Sequence, residues 1–154
     1  MGRALVVAAV LVLALSASSA RAVIVVQHSI AGVRLQMTKA QVRAKLGRPM
    51  RVHVGTDEFG TVTEKVYKRV TVTFQSGDRV TNVRTTSPLE QTASGVGVGS
   101  TKFQVKAKIP GATCTNESGF RHCFVGAFRP GRVVTDFRLR NGRVSEVSIG
   151  FVID

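Results

Sequence analysis

Apolar residues spaced four apart occur at two places in the chain and predict two short helices, each with one buried face. The pairs are Val42/Leu46 and Val105/Ile109. Thr38 and Thr101 lie ahead of these pairs, and Gln41 and Gln104 follow the threonines at the spacing of a capping box. Glycine and proline residues then end both predicted helices.

Beyond each helix, apolar and polar residues alternate with a period of two, which predicts β-strands. We expect strands over residues 50–54, 62–68, 70–74, 80–85, 120–127, 133–139 and 144–152. Ser76-Gly77-Asp78 and Asn141-Gly142 are the predicted hairpin turns between strands, and Asn-Gly is a strong signal of this kind.

Two of these strands contain valines three residues apart, at Val80/Val83 and Val144/Val147. Strict alternation would place one valine of each pair on the solvent side of the sheet. A β-bulge adds one residue and restores the facing of the side chains, so we predict a bulge or sharp twist in both strands.

Two segments of the chain, 63 residues apart, resemble each other. Gly32–Leu46 reads GVRLQMTKAQVRAKL and Gly95–Ile109 reads GVGVGSTKFQVKAKI, with eight of fifteen residues identical. Chance does not easily produce this agreement, so we interpret it as an internal repeat. The predicted organisation is an N-terminal lead-in at 23–31, a first repeat at 32–88, a linker at 89–94 and a second repeat at 95–154.

Residues 1–22 have the order of a secretory signal peptide. Arg3 supplies the basic start, residues 4–15 are apolar, and small residues lead to Ala20-Arg21-Ala22. Cleavage is predicted after Ala20 or Ala22. The apolar run is shorter than the roughly 20 residues that span a bilayer, so we expect no transmembrane segment after cleavage. The predicted location is secreted, periplasmic or at the cell envelope.

Charge and aromatic content narrow the choice of partner. The formal net charge is +13, which attracts anionic surfaces such as acidic proteins, lipids or wall polymers. The chain has no Trp and one Tyr, whereas single-stranded nucleic acids are usually bound by stacking on aromatic rings. Together with the predicted export, this argues against a nucleic-acid partner.

Cys114 and Cys123 are the two cysteines of the chain. An even number of closely spaced cysteines in an exported protein indicates a disulfide. A metal site that includes His122 and a catalytic thiol are the alternatives, although a closed zinc site needs four ligands.

The sequence contains no recognisable catalytic motif. Its carboxylates are scattered, its three histidines lie far apart, and no nucleophile motif accompanies them. We therefore expect a protein that is not an enzyme and that has no catalytic residues, no metal site and no cofactor.

Two regions contain candidate residues for binding a partner. The loop at 55–60 places a phenylalanine beside acidic residues, and the second repeat has clustered arginines, which favour carboxylate or phosphate contacts. Surface solubility explains such arginines about as well, and the alternative at 55–60 is an ordinary hairpin loop with Phe59 folded under. The candidate residues are Asp57, Phe59, Tyr67, Arg129, Arg132, Arg138, Arg140 and Arg143.

The segment Val33–Pro49, with its Met-Thr-Lys-x-Gln-Val-x-x-Leu-Gly-x-Pro pattern, resembles the repeat of the secreted β-lactamase inhibitor proteins. It also resembles the small outer-membrane lipoproteins of the SmpA/OmlA type, which have one copy. The resemblance extends from Ile30 to the C-terminus. It implies an α+β fold in which two tandem helix-plus-antiparallel-sheet repeats pack side by side, with the helices on one face of a shared concave sheet.

Two functions follow as hypotheses. The resemblance implies a secreted, non-enzymatic module of the inhibitor type, which binds an extracytoplasmic protein through the concave sheet face. The alternative is a basic cell-envelope protein held electrostatically to anionic wall polymer or lipid.

Overall fold

The computed structural model describes residues 23–117 and 119–153. Two helices, α1 (Lys39–Leu46) and α2 (Lys102–Lys108), accompany eleven strands in these ranges. The strands are β1 (Ile24–Val25), β2 (Ser29–Ile30), β3 (Val33–Arg34), β4 (Arg51–Asp57), β5 (Gly60–Val66), β6 (Thr71–Gln75), β7 (Val80–Thr85), β8 (Thr113–Glu117), β9 (Phe120–Gly126), β10 (Val133–Arg140) and β11 (Arg143–Phe151).

Both helices begin at the predicted threonine caps. The Thr38 hydroxyl accepts the Gln41 backbone N–H at 3.1 Å, and the Gln41 side chain accepts the Thr38 backbone N–H at 2.8 Å. Thr101 and Gln104 make the same pair of bonds. Each capping box satisfies two N–H groups that the first helical turn leaves without an intrahelical partner, so the capping prediction is confirmed.

Eight strands form one antiparallel sheet in the order β4-β5-β6-β7-β11-β10-β9-β8. We call β4–β7 the first half and β8–β11 the second half. The halves meet where β7 pairs with β11, with Val83 opposite Ile149. The lead-in and the chain that follows it form a separate three-stranded sheet, β1-β2-β3.

Both predicted bulges are present. Thr81 is the extra residue between the pairs Thr73/Asn82 and Phe74/Val80. Ser145 is the extra residue between Arg138/Glu146 and Leu139/Val144. As a result, the valines that are three residues apart are all buried on the core side.

The core lies between the helices, the small sheet and one face of the large sheet. Val42 of α1 and Val105 of α2 are fully buried there, and so are Phe74 of β6 and Phe137 of β10. The predicted disulfide is confirmed, because Cys114 and Cys123 face each other in the β8–β9 pair and are bonded. Such a bond is typical of exported proteins.

The predicted α+β fold class is wrong. The described residues are 50% strand and 12% helix, so the protein is mostly β rather than a pair of helix-plus-sheet modules. Hydrogen bonding between β7 and β11 makes all eight strands one continuous antiparallel sheet. The helices contribute little because they have only eight and seven residues, and β8 together with β1–β3 adds strand that the alternation did not predict.

The domain boundaries remain a prediction, and the predicted signal peptide lies outside the described residues. Among the residues that are described, no helix is both long and apolar enough to cross a membrane.

Candidate functional site

The face of the large sheet that points away from the helices is here called the outer face. Side chains alternate across a strand, so the neighbours of the buried core residues project from this face. Five ionisable side chains lie on the outer face, one each on β5, β7, β11, β10 and β9. They are Glu64, Arg84, Glu146, Asp136 and His122. The outer face is therefore polar and ionisable at its centre.

Arg84 connects the two halves across the outer face. Its guanidinium donates to Glu64 of the first half at 3.1 Å and to Glu146 of the second half at 3.3 Å. All three side chains are partly exposed, so solvent weakens each pair. A single arginine between two carboxylates nevertheless fixes the orientation of side chains at the junction of the halves.

Three phenylalanines surround the imidazole of His122. The ring centroids of Phe120 and Phe124 both lie 5.3 Å from that of His122, and the centroid of Phe128 lies at 5.5 Å. We call Phe120, Phe124 and Phe128 the aromatic cluster. His122 itself is 9% exposed, so the cluster removes most of the imidazole from water.

Asp136 holds the imidazole from the neighbouring strand. Its Oδ1 lies 2.8 Å from Nδ1 of His122. Burial raises the pKa of the Asp136 carboxyl, and this effect outweighs the opposing effects of His122 and Arg138. The two residues therefore form an oriented pair at the edge of an apolar environment.

Arg138 extends the aromatic cluster into a cationic groove. Its guanidinium lies 4.4 Å from the centroid of Phe120, at cation–π distance. The groove has a volume of about 420 Å³ and includes Phe120, Arg138, Arg140 and Glu146 in its wall. Arg121 also lines the groove, so the groove offers an aromatic surface next to three positive charges.

Thr115 bears on whether this region is catalytic. It lies directly opposite His122 in the β8–β9 pair, and its hydroxyl is buried with no hydrogen-bond partner among the described residues. The His122 imidazole is bonded to Asp136 instead. Within the described ranges, Thr115, His122 and Asp136 thus form no hydrogen-bonded series of nucleophile, base and acid. The same ranges hold no group of three or more histidine, cysteine or acidic residues suited to a metal ion.

The structure brings together part of the predicted arginine set. Arg138 and Arg140 both line the groove. Arg129 and Arg132 lie together in the β9–β10 loop and line a separate cleft. Arg143 is occupied elsewhere, since its guanidinium donates to the Gly99 carbonyl at 2.9 Å ahead of α2.

The remaining candidate residues lie apart from the groove. Asp57 caps the β4–β5 turn by accepting the Phe59 N–H at 2.9 Å and the Gln75 amide at 2.8 Å. Phe59 is 40% exposed in that turn, at the opposite end of the strand order from the aromatic cluster. Tyr67 is buried and lines a cleft beside Glu90.

The sequence reasoning missed the His122–Asp136 pair and the aromatic cluster. One signal was available, because Phe120, His122 and Phe124 alternate along a predicted strand and so share a face. Asp136 is fourteen residues from His122, and the pairing of β9 with β10 brings them together.

The fold resembles two solved structures from Bacillus. One is an extracellular protein containing an SCP domain from Bacillus anthracis str. Ames, with a TM-score of 0.51 and 10% identity over 76% of this chain. The chain spans only 44% of that protein. The other is a DUF4309 family protein (YjgB) from Bacillus subtilis subsp. subtilis str. 168. Its TM-score is 0.53 with 14% identity, covering 87% of this chain and 90% of that one.

At these identities the likeness shows the fold alone. No protein-family model matches the chain, and no curated protein matches its sequence.

Proposed function

We propose that this protein is a secreted, non-enzymatic binding module that engages an extracytoplasmic protein through the outer face of its second half. The observation that carries the proposal is the exposed aromatic surface beside the groove arginines. Phe120 is 39% exposed and Phe128 is 52% exposed, and Arg138 stacks on the first of them. Aromatic residues and arginine are enriched in protein interfaces and at their energetic hot spots.

Rigidity supports the same proposal. The aromatic cluster stands on β9 and the loop after it, and β9 is hydrogen-bonded on both sides, to β8 and to β10. The Cys114–Cys123 disulfide ties β9 to the edge strand. A preformed surface loses little conformational entropy on binding, which favours affinity.

The secreted location rests on the disulfide, the predicted signal peptide and the extracellular nature of the SCP-domain protein that the fold resembles. The resemblance of Val33–Pro49 to the β-lactamase inhibitor repeat supplies the inhibitor-like form of the proposal. In that form, the bound protein is an enzyme, and the face that contains the groove covers part of the enzyme's surface.

The test uses the mature protein with two matched double variants. F120A/R138A removes one ring and one cation from the groove, while F103A/K106A removes the same groups from α2 on the other side of the sheet. Immobilised proteins are exposed to the extracytoplasmic proteins of the producing organism at high salt. We expect one protein to be retained by wild type and by F103A/K106A, with at least tenfold loss for F120A/R138A. Equal retention by all three would refute the assignment of this face.

A second assay addresses the inhibitor-like form. The mature protein is titrated into a panel of β-lactamases and wall-building transpeptidases, and we expect inhibition that F120A/R138A weakens. Absence of inhibition at micromolar concentration across the panel would exclude that form.

A second candidate function is electrostatic attachment to an anionic wall polymer or lipid, which the net charge of +13 favours. Arg129 and Arg132 in the β9–β10 loop add to the positive charge of the second half. Binding to anionic vesicles should then fall steeply once salt reduces the Debye length to about 8 Å. Binding that persists unchanged at high salt would exclude this function and favour a shape-matched interface.

A further inference from the structure

A cleft on the core side of the first half contains two buried polar atoms without partners. Its volume is about 330 Å³, and its wall consists of Val23, Ala31, Leu46, Tyr67, Lys68, Arg69, Val70 and Glu90. The Tyr67 hydroxyl and Oε2 of Glu90 are both buried, and neither has a hydrogen-bond partner among the described residues. A buried oxygen without a partner is unfavourable, and more so on a carboxylate.

Glu90 is fully buried, and Arg69 satisfies only half of its carboxylate. The Arg69 guanidinium donates to Oε1 at 3.3 Å, while Oε2 faces no donor within the described ranges. Arg69 is itself about half exposed, so solvent weakens this pair. Lys68 also lines the cleft but forms no ion pair with Glu90 among the described residues, so Oε2 still lacks a cationic donor.

Val23 is one of the residues that line this cleft, and its backbone nitrogen is hydrogen-bonded. It donates to the Gln91 carbonyl at 3.0 Å, and Gln91 is the residue next to Glu90. The Val23 carbonyl accepts from Ala31 at 2.8 Å, which fixes the first described residue on both sides. Val23 is also the residue that follows Ala22, one of the two predicted signal cleavage positions.

We propose that the signal peptide is removed between Ala22 and Val23 and that the new α-ammonium group of Val23 forms a buried ion pair with Glu90. In this step a signal peptidase adds water across the Ala22–Val23 peptide bond. The C–N bond breaks, Ala22 leaves with the carboxylate, and the Val23 amine takes up a proton. The ammonium then has three N–H donors in place of one.

These three donors match the acceptors at the cleft. One continues to serve the Gln91 carbonyl, a second serves Oε2 of Glu90, and the Tyr67 oxygen is an acceptor in the wall of the same cleft. Cleavage after Ala20 would instead leave an uncharged amide at Val23 and place the terminal charge two residues away. The ion pair with Glu90 therefore forms only when cleavage follows Ala22. This inference does not depend on the function proposed above.

The first test is the intact mass of the exported protein, which we expect to begin at Val23. A mature chain that begins at Arg21 would overturn the proposal.

The second test is a double-mutant cycle in urea unfolding. Chains that begin at Val23 or at Arg21 are compared with Glu90 intact and with E90Q. With Glu90 intact, we expect the Val23 chain to have an unfolding constant at least about tenfold smaller, which is the scale of one charged hydrogen bond. E90Q should abolish this difference, while E58Q on the exposed β4–β5 turn should preserve it. A difference that survives E90Q would overturn the ion pair.

A third measurement needs no substitution, in case E90Q does not fold. The acylation rate of the α-amine in the mature wild-type protein is compared with that of an unstructured peptide with the same first residues. We expect at least tenfold slower labelling, because the amine is protonated and held against Glu90. Equal rates would contradict the proposal.

Discussion

The first and second halves of the large sheet share their central features and differ at their outer edges. Each half follows a capped helix, contains a closing strand with one bulge and buries one phenylalanine in its third strand, Phe74 or Phe137. The edge strands differ. Every residue of β4 is exposed, whereas β8 is joined to β9 by the Cys114–Cys123 disulfide and lies beside the aromatic cluster.

This difference separates the scaffold from the candidate site. Caps, bulges and buried phenylalanines occur in both halves, so they serve the fold. The disulfide, the His122–Asp136 pair and the groove occur in the second half. The second half thus has an aromatic outer edge joined by a disulfide, whereas the first half ends in an exposed strand on which Val52 and Val54 are also exposed.

The largest expected effects come from the two buried phenylalanines. F74A and F137A each remove a fully buried ring and should lower the free energy of unfolding by about 3–5 kcal/mol. Because β7 and β11 join the halves, we expect a single transition in urea for both variants. F103A, which removes a ring that is 79% exposed, is the control and should change little. Two separate transitions would show that the halves unfold independently.

The disulfide should have the next largest effect. C114A/C123A removes a closed loop with a sequence separation of nine residues, and we expect a loss of about 2.5–3 kcal/mol in the free energy of unfolding. Amide exchange should accelerate most in β8, making this edge resemble β4. A reducing agent should destabilise wild type and leave the double variant unchanged. Unaltered exchange in β8 would contradict the stiffening role.

The helix caps test the similarity of the halves. T38A and T101A each break one capping box and should cost about 1 kcal/mol. The two losses should add in the double variant, because the caps share no partner, and Ser at either position should restore most of the loss. A large inequality between the two variants would show that one helix contributes more to stability than the other.

The smallest effect is a pH dependence confined to the second half. Burial raises the pKa of Asp136 above its ordinary value near 3.8, so the folded state binds this proton more tightly than the unfolded state. The resulting stabilisation is present below pH 3.8 and is lost as pH rises through the raised pKa. Relative to D136N, wild type should therefore lose stability as pH rises from about 4.

Urea unfolding across this pH range measures the difference between wild type and D136N. E58Q, at an exposed carboxyl of the first half, is the control and should follow wild type. Stability that rises with pH relative to D136N would mean that the ion pair with His122 outweighs burial.

Local features of the fold were predictable because they depend on neighbouring residues. Each helix cap was predicted from a threonine followed by a glutamine three residues later. Each bulge was predicted from two valines that are three residues apart. Strand β8 was missed because its residues, Thr113 to Glu117, are mostly polar and do not alternate. Strands β1 to β3 have two residues each, too few to show a period.

The candidate site was less predictable. Arg138 and Arg140 were predicted as members of the arginine cluster of the second repeat, and both line the groove. Asp136 and Phe128 reach His122 only through the β9–β10 register and the loop that follows β9, and neither has a local sequence signal.

The sequence by itself determined the helix starts, the hairpin turns, the bulges and the disulfide, since each of these follows from residues close together along the chain. The tertiary structure decided that β7 pairs with β11 to make one mostly β sheet. It also placed Glu90 and Val23 in the wall of one cleft, and His122 beside Asp136. These pairings join residues that are distant in the chain, and their energies depend on burial, which only the packed fold defines.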